Sequence, residues 1–185
     1  MKRARTGANG TAFSNKSLWD AMASYMKNRT TAEAVHGPIA EWDVSKVTNM
    51  RRLFCGVCTF NGDLSKWDVS SVTDMSYMFH RADTFNCDLS KWNVSCVWNM
   101  RGMFEEAYAF NGDLSKWDVS SVTDMSDMFI FARAFNSDLS AWDVSSVTGM
   151  YSMFSRAYAF NCDLSAWNVS SVTDMRRMFA GAHAF

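Results

Sequence analysis

Trp67-Asp68-Val69-Ser70-Ser71-Val72-Thr73-Asp74-Met75, followed by Met78-Phe79 and then Phe85-Asn86, is the stretch that organises this chain. It returns every 25 residues, without insertion or deletion, with its tryptophan at 42, 67, 92, 117, 142 and 167. The sixth copy stops at Phe185, before its F-N-x-D-L-S return is complete. A strict period of this length marks a stacked array, in which each unit closes its core only against its neighbours.

Periodicity changes part-way through each copy. In Trp67-Asp68-Val69 the alternation predicts a short strand, with Trp67 and Val69 inward and Lys66 and Asp68 outward. Val72, Met75, Met78, Phe79 and Ala82 then follow at i, i+3, i+6, i+7 and i+10, which predicts one face of a helix started by Ser71 and Asp74. Phe85 to Asp88 forms the return loop. The expected fold is an α/β repeat solenoid, leucine-rich-repeat-like, with short parallel strands on one face, short helices on the other and a helical N-terminal cap.

Three segments are expected: a basic arm over 1–16, the helical cap over 17–38 and a six-rung array over 39–185 with its last rung truncated. In the cap, Ser17 is the predicted N-cap, and Leu18, Met22 and Met26 with Trp19 and Tyr25 make an apolar stripe. A second turn, Ala32 to Val35, should end at Gly37-Pro38. Stacking turns each position into a column. Six of the eight tryptophans share one column and twelve of the fourteen phenylalanines share two, so nearly all large apolar side chains belong to the core. The Asn column, from Asn61 to Asn161, reads as a ladder of amides bonding loop backbone.

Eighteen basic residues against nineteen acidic ones give a net charge of −1, so bulk charge offers nothing to nucleic acid or an anionic membrane. No apolar run is long enough to span a bilayer. Lys2, Arg3, Arg5 and Lys16 make the leader basic, and it lacks the apolar core of a secretory signal. Five cysteines is an odd number, and Cys87 and Cys162, in one column, lie three repeats apart, roughly 15 Å at strand spacing and too far for a disulfide. An intracellular or organellar setting is slightly favoured over secretion.

The motif Phe110-Asn111-Gly112-Asp113-Leu114-Ser115-Lys116-Trp117-Asp118-Val119-Ser120-Ser121-Val122-Thr123-Asp124-Met125, continuing to Phe129, resembles the BspA-like bacterial surface-protein repeats of mycoplasma and Listeria surface proteins. Similar repeats abound in microalgal proteins, which Ala34 to Trp42 most resembles. The resemblance covers 39–185 closely. It implies a leucine-rich-repeat-like array associated with surfaces, adhesion and protein contacts, and no catalytic activity. One departure stands out: Val72 and its equivalents occupy the position where leucine-rich repeats carry Asn, so the turn geometry should differ.

The expected binding face is the outward columns, through Lys66, Asp68, Lys91, Asn93, Lys116, Asp118, Asp143 and Asn168. Breaks in the repeat nominate protein contacts: Trp98 in place of Thr, Ile130 and Phe131 where other rungs are polar, Tyr108 and Tyr158 in a loop column, and Phe185 at the open end. Cys55, Cys58, His80 and Asp83 formally resemble a zinc set, but no metal or other cofactor is expected. No phosphate loop, hydrolase elbow or HExxH motif is present, and no enzyme is expected. The leading expectation is a non-enzymatic protein-interaction scaffold, a subunit of a larger assembly, contacting partners through the N-terminal arm and the uncapped last rung. The alternative is a cell-surface adhesin or carbohydrate-binding protein using the strand face.

Overall fold

The computed structural model describes residues 11–185. Helix α1, Asn15–Lys27, begins at Ser14, whose hydroxyl accepts from Ser17 N–H while Ser17 caps back, a complete capping box. Ser17 is thus the third helical residue rather than the N-cap. Helix α2, Arg29–His36, is capped by the Asn28 side chain and ends at Gly37, whose φ of 78° is costly for any residue with a Cβ. A 3₁₀ turn, Ile39–Glu41, delivers the chain to Trp42. Leu18, Ala21, Met22 and Tyr25 of α1 are buried. Tyr25 and Phe13 lie against Trp42, with ring centroids 5.9 and 5.2 Å away. Asn15 ties the helix down by accepting from Thr48 N–H and donating to Thr48 Oγ1.

From Trp42 on, the expected α/β repeat solenoid is corrected. Among the described residues, no repeat contains a helix, a strand or a sheet. Each 25-residue unit, here called a rung, is a closed course of turns. The parallel pairing that exists is a line of isolated bridges, Asn49 to Asp74 to Asn99 to Asp124 to Gly149 to Asp174. These bridges lie in the segment expected to be helical. The expected strand segment bonds within itself: Trp67 N–H donates to Leu64 O and Val72 N–H to Val69 O.

Two left-handed positions in every rung explain the missing helix. One column is Arg52, Tyr77, Gly102, Asp127, Ser152 and Arg177; the other is Gly56, Arg81, Glu106, Phe131, Arg156 and Gly181, all at φ between 52° and 76°. A left-handed residue every four positions stops helical propagation and closes successive turns, Met78 N–H to Met75 O and Ala82 N–H to Phe79 O. The alternate amides are then free to cross. Met75, Tyr77, Phe79 and Arg81 donate to the carbonyls of Asn99, Arg101, Met103 and Glu105, at 2.8–3.0 Å. The apolar spacing of three and four residues still places Val72, Met75, Met78, Phe79 and Ala82 inside. The same pattern that fits a helix fits a ribbon of turns.

The core is a set of parallel side-chain columns. Phe79 stacks within its rung on Phe85 at 4.0 Å and across rungs on Phe104 at 5.6 Å. Indoles stitch the rungs on the other side: Trp92 Nε1 donates to Leu64 O, and Trp117 and Trp142 repeat the bond one and two rungs on. Many buried N–H groups therefore find partners without any sheet. The Asn column is a ladder, with Asn86, Asn111, Asn136 and Asn161 N–H each donating to the Oδ1 of the preceding rung's asparagine.

Candidate functional site

The outward Lys and Asp columns lie side by side and are exposed: Lys66, Lys91 and Lys116 beside Asp68, Asn93, Asp118, Asp143 and Asn168. The carboxylates are not idle. Asp68 Oδ1 accepts from both Ser70 N–H and the Ser70 hydroxyl, and Asp118 does the same with Ser120. These are Asx turns, so half of each carboxylate is committed to shaping the chain. At Asp143 the Ser145 hydroxyl, then its backbone N–H, holds the carboxyl below its ordinary value. A second column, Asp63, Asp88, Asp113, Asp138 and Asp163, turns the chain before each tryptophan and is depressed for the same reason. A third, with Asp74 and Asp124, binds Ser76 and Ser126 N–H. Asp74 is therefore a turn residue, not a helix cap.

The two left-handed columns face the opposite side, where their side chains border a groove running along the stack. In the second and third rungs the groove is filled. Tyr77 lies against Gly102, and its hydroxyl accepts from Arg101 Nε at 2.9 Å. Arg101 pairs with Asp127 at 3.0 Å, His80 approaches Glu105 at 3.3 Å and Arg81 approaches Glu106 at 3.5 Å. Towards the last rungs the groove opens into a cleft of about 510 Å³ lined by Ile130, Phe131, Tyr151, Arg156 and Arg177, with serines between them.

Beside it runs a stack that sequence reading nominated only in part. Arg133 lies over Tyr108 at 4.6 Å and near Tyr158 at 6.0 Å, and Tyr158 stacks on His183 at 5.5 Å. Tyr108 also donates to Glu106, which raises its phenol above the ordinary value. Ile130 and Phe131 are half-buried walls of the cleft, whereas Trp98 is exposed and stands apart. Where Thr73, Thr123 and Thr148 donate their hydroxyls to the preceding rung, Trp98 has none to give. Its backbone N–H still bonds Thr73 O.

Arg133, Arg156 and Arg177 were missed because a lone arginine in a repeat reads as a solvated side chain. A usable signal existed: the two left-handed columns contain no β-branched residue in twelve positions and carry glycine in three.

At the same end of the stack, the last rung presents an apolar face. Trp167, Val169, Met175, Met178, Phe179 and Phe185 surround a hollow of about 390 Å³, and Val169, Met175 and Phe185 are exposed. All five cysteines are free. Cys87 and Cys162 accept from Leu64 and Leu139 N–H, and burial holds both thiols above their ordinary value. Among the described residues no three His, Cys, Asp or Glu side chains, Cys55, Cys58, His80 and Asp83 included, are grouped so as to hold a metal ion. No described helix is long and apolar enough to cross a membrane. Most of the basic arm, residues 1–10, lies outside the described residues.

No curated protein and no solved structure matches the chain. A family model described as a Mycoplasma protein of unknown function, DUF285, matches residues 20–138 and 112–185, spans that take in the second helix and all six rungs, and the chain belongs to that family.

Proposed function

We propose that the protein is a non-enzymatic protein-interaction scaffold whose Trp167 to Phe185 face packs against a further rung of the same kind, supplied by a polypeptide partner or by chain that follows Phe185. The observation that carries this is the Trp167 to Phe185 face. Met175 and Phe185 are 39% and 52% exposed, while Met125 and Phe135, at the same columns two rungs earlier, are at 0% beneath the following rung. The five interfaces between successive rungs define what fits such a face: an aromatic column in register and a row of carbonyls. At earlier rungs the amides equivalent to Met175, Arg177, Phe179 and Gly181 N–H all donate to the next rung's carbonyls. Leu139 O, equivalent to Leu164 O, accepts an indole N–H. Two copies meeting through this face would set donors against donors, so twofold pairing is disfavoured. The resemblance to BspA-like surface repeats, a group associated with protein contacts, favours the same reading.

The test is titration of the protein with a synthetic two-rung peptide having the sequence of residues 136–185, which starts in the register that follows Phe185. Saturable binding and a raised Tm are expected, both lost in Phe185→Glu. An unchanged Tm with no detectable binding would overturn the proposal.

A further inference from the structure

The groove bordered by the two left-handed columns changes character along its length: Arg52 in the first rung lies over the Tyr77 ring, and at the far end Arg156 and Arg177 are without anions. In the second to fourth rungs every arginine or histidine bordering it meets an acid: His80 with Glu105, Arg81 with Glu106 and Arg101 with Asp127. Beyond these the columns carry Phe131, Ser152, Arg156 and Arg177, and the acids run out. Among the described residues neither Arg156 nor Arg177 is in an ion pair, whereas neighbouring Arg176 is held by Asp174 at 2.7 Å.

These side chains line a concavity rather than a flat surface. Its volume of about 510 Å³ falls within the range of small-molecule sites. Small residues make the room: Ser152 and Ser155 are buried, and Ala180 stands where His80 and Glu105 fill the groove in earlier rungs. The left-handed φ of Ser152, Arg156 and Arg177 fixes the backbone beneath the cleft in the same turns that hold the rungs together. Arg156 is further braced, with its guanidinium 4.9 Å over the Phe131 ring. A stacked guanidinium keeps its N–H edge free, and that edge matches an oxyanion in two-pronged fashion.

We propose that this cleft is a binding site for an oxyanion, a carboxylate, phosphate or sulfate group on a small ligand, with Arg156 and Arg177 as its anion-binding residues. The tyrosine and phenylalanine walls accept an apolar or ring-shaped body attached to that group. This site shares no lining residue with the hollow of the last-rung face, although Arg177 and Ala180 belong to the same rung.

The test is calorimetric titration of the whole chain with inorganic phosphate, with sulfate and with glucuronate, a carboxylate carried on a sugar ring. Saturable binding is expected for at least one probe. Tighter binding of glucuronate than of the two free ions would identify a sugar acid as the source. The double variant Arg156→Gln/Arg177→Gln should weaken binding by about tenfold or more. The Arg156→Lys/Arg177→Lys variant should recover only part of the loss, because an ammonium lacks the fork. Lys46→Gln, at an exposed position of the first rung, should change nothing. Absence of saturable binding by all three probes, or equal affinity in the double Gln variant with its Tm unchanged, would overturn the proposal. If the Gln variant loses Tm, the Lys pair decides, since full affinity there would equally overturn it.

Discussion

The fourth rung, beginning at Trp117, and the sixth, beginning at Trp167, are nearly the same sequence in different surroundings. Both read W-[DN]-V-S-S-V-T-D-M, and both carry their two phenylalanines at the same spacing. Met125, Met128, Phe129 and Phe135 of the fourth are all at 0% exposure, whereas Met178 is at 8%, Phe179 is only partly buried, and Met175 and Phe185 are open. Val119 is buried and Val169 is exposed. The letters specify which side chains face the stacking direction. Burial, and hence stabilisation, comes from the rung that follows. Burying one such side chain contributes about 1.5–3 kcal/mol, so the two copies contribute unequally despite their likeness.

The sharpest way to break this comparison is paired truncation. Phe129→Ala should cost about 3–5 kcal/mol in urea unfolding, and Phe179→Ala clearly less, because its cavity opens to solvent. Equal losses would mean that the last rung is packed as the interior is. The left-handed columns give the next effect. Arg81→Val should destabilise by about 1–2 kcal/mol, since a β-branched side chain is poorly tolerated there, while Arg81→Gly should be close to neutral. Arg177→Val should cost less than Arg81→Val, because the Arg81 amide is anchored to Glu105 O and the last rung is followed by no anchor within residues 11–185. A smaller effect is expected in the amide ladder. Asn111→Ala should cost about 1 kcal/mol and speed hydrogen exchange at Asn136, whose N–H it accepts at 2.8 Å. Asn161→Ala should do neither.

The weakest effect is a pH dependence. The Asp113 carboxyl is depressed chiefly by the Ser115 backbone N–H and hydroxyl, and Asp88 and Asp63 by their serines. A depressed folded value means the contribution is complete above the unfolded value, near 3.9, and disappears as pH falls through the lower folded value. Tm should therefore be flat from neutral pH down to about 5 and fall below 4. Asp113→Asn should shrink that fall, and a drop beginning near pH 6 would point to another group.

Much of the stack was legible in the sequence because columns are a matter of counting. Trp92, Phe104 and Met100 were assigned inward from their 25-residue recurrence, and they are inward. The Asn ladder followed from the need to satisfy loop amides. Secondary structure was not legible, because an apolar spacing of three and four residues does not distinguish a helix from turns interrupted at Tyr77 and Arg81. Backbone handedness at those two positions decides between them, and a single arginine or tyrosine gives no hint of it; only the full columns, with three glycines and no β-branched residue, carry the signal. The turn role of the Asp68 column is not legible, since Ser70, which donates to its carboxylate, is too near in sequence to register as a contact. The candidate aromatics Tyr108 and Tyr158 came from breaks in the pattern, but Arg133, which joins them, breaks nothing conspicuous.

The crossing amides also have an electrical consequence. In each interior interface four backbone N–H rows point towards the following rung, as those of Met75, Tyr77, Phe79 and Arg81 do. Three rows, those of Thr73, Thr84 and Asn86, point the other way. The peptide dipoles therefore do not cancel along the stack. Aligned peptide dipoles add, as they do in a helix, and here the sum leaves partial positive charge at the Trp167 to Phe185 end. Arg156, Arg176 and Arg177 gather near the same pole. The described stack is thus polarised along its axis, with the positive pole on the Trp167 to Phe185 face.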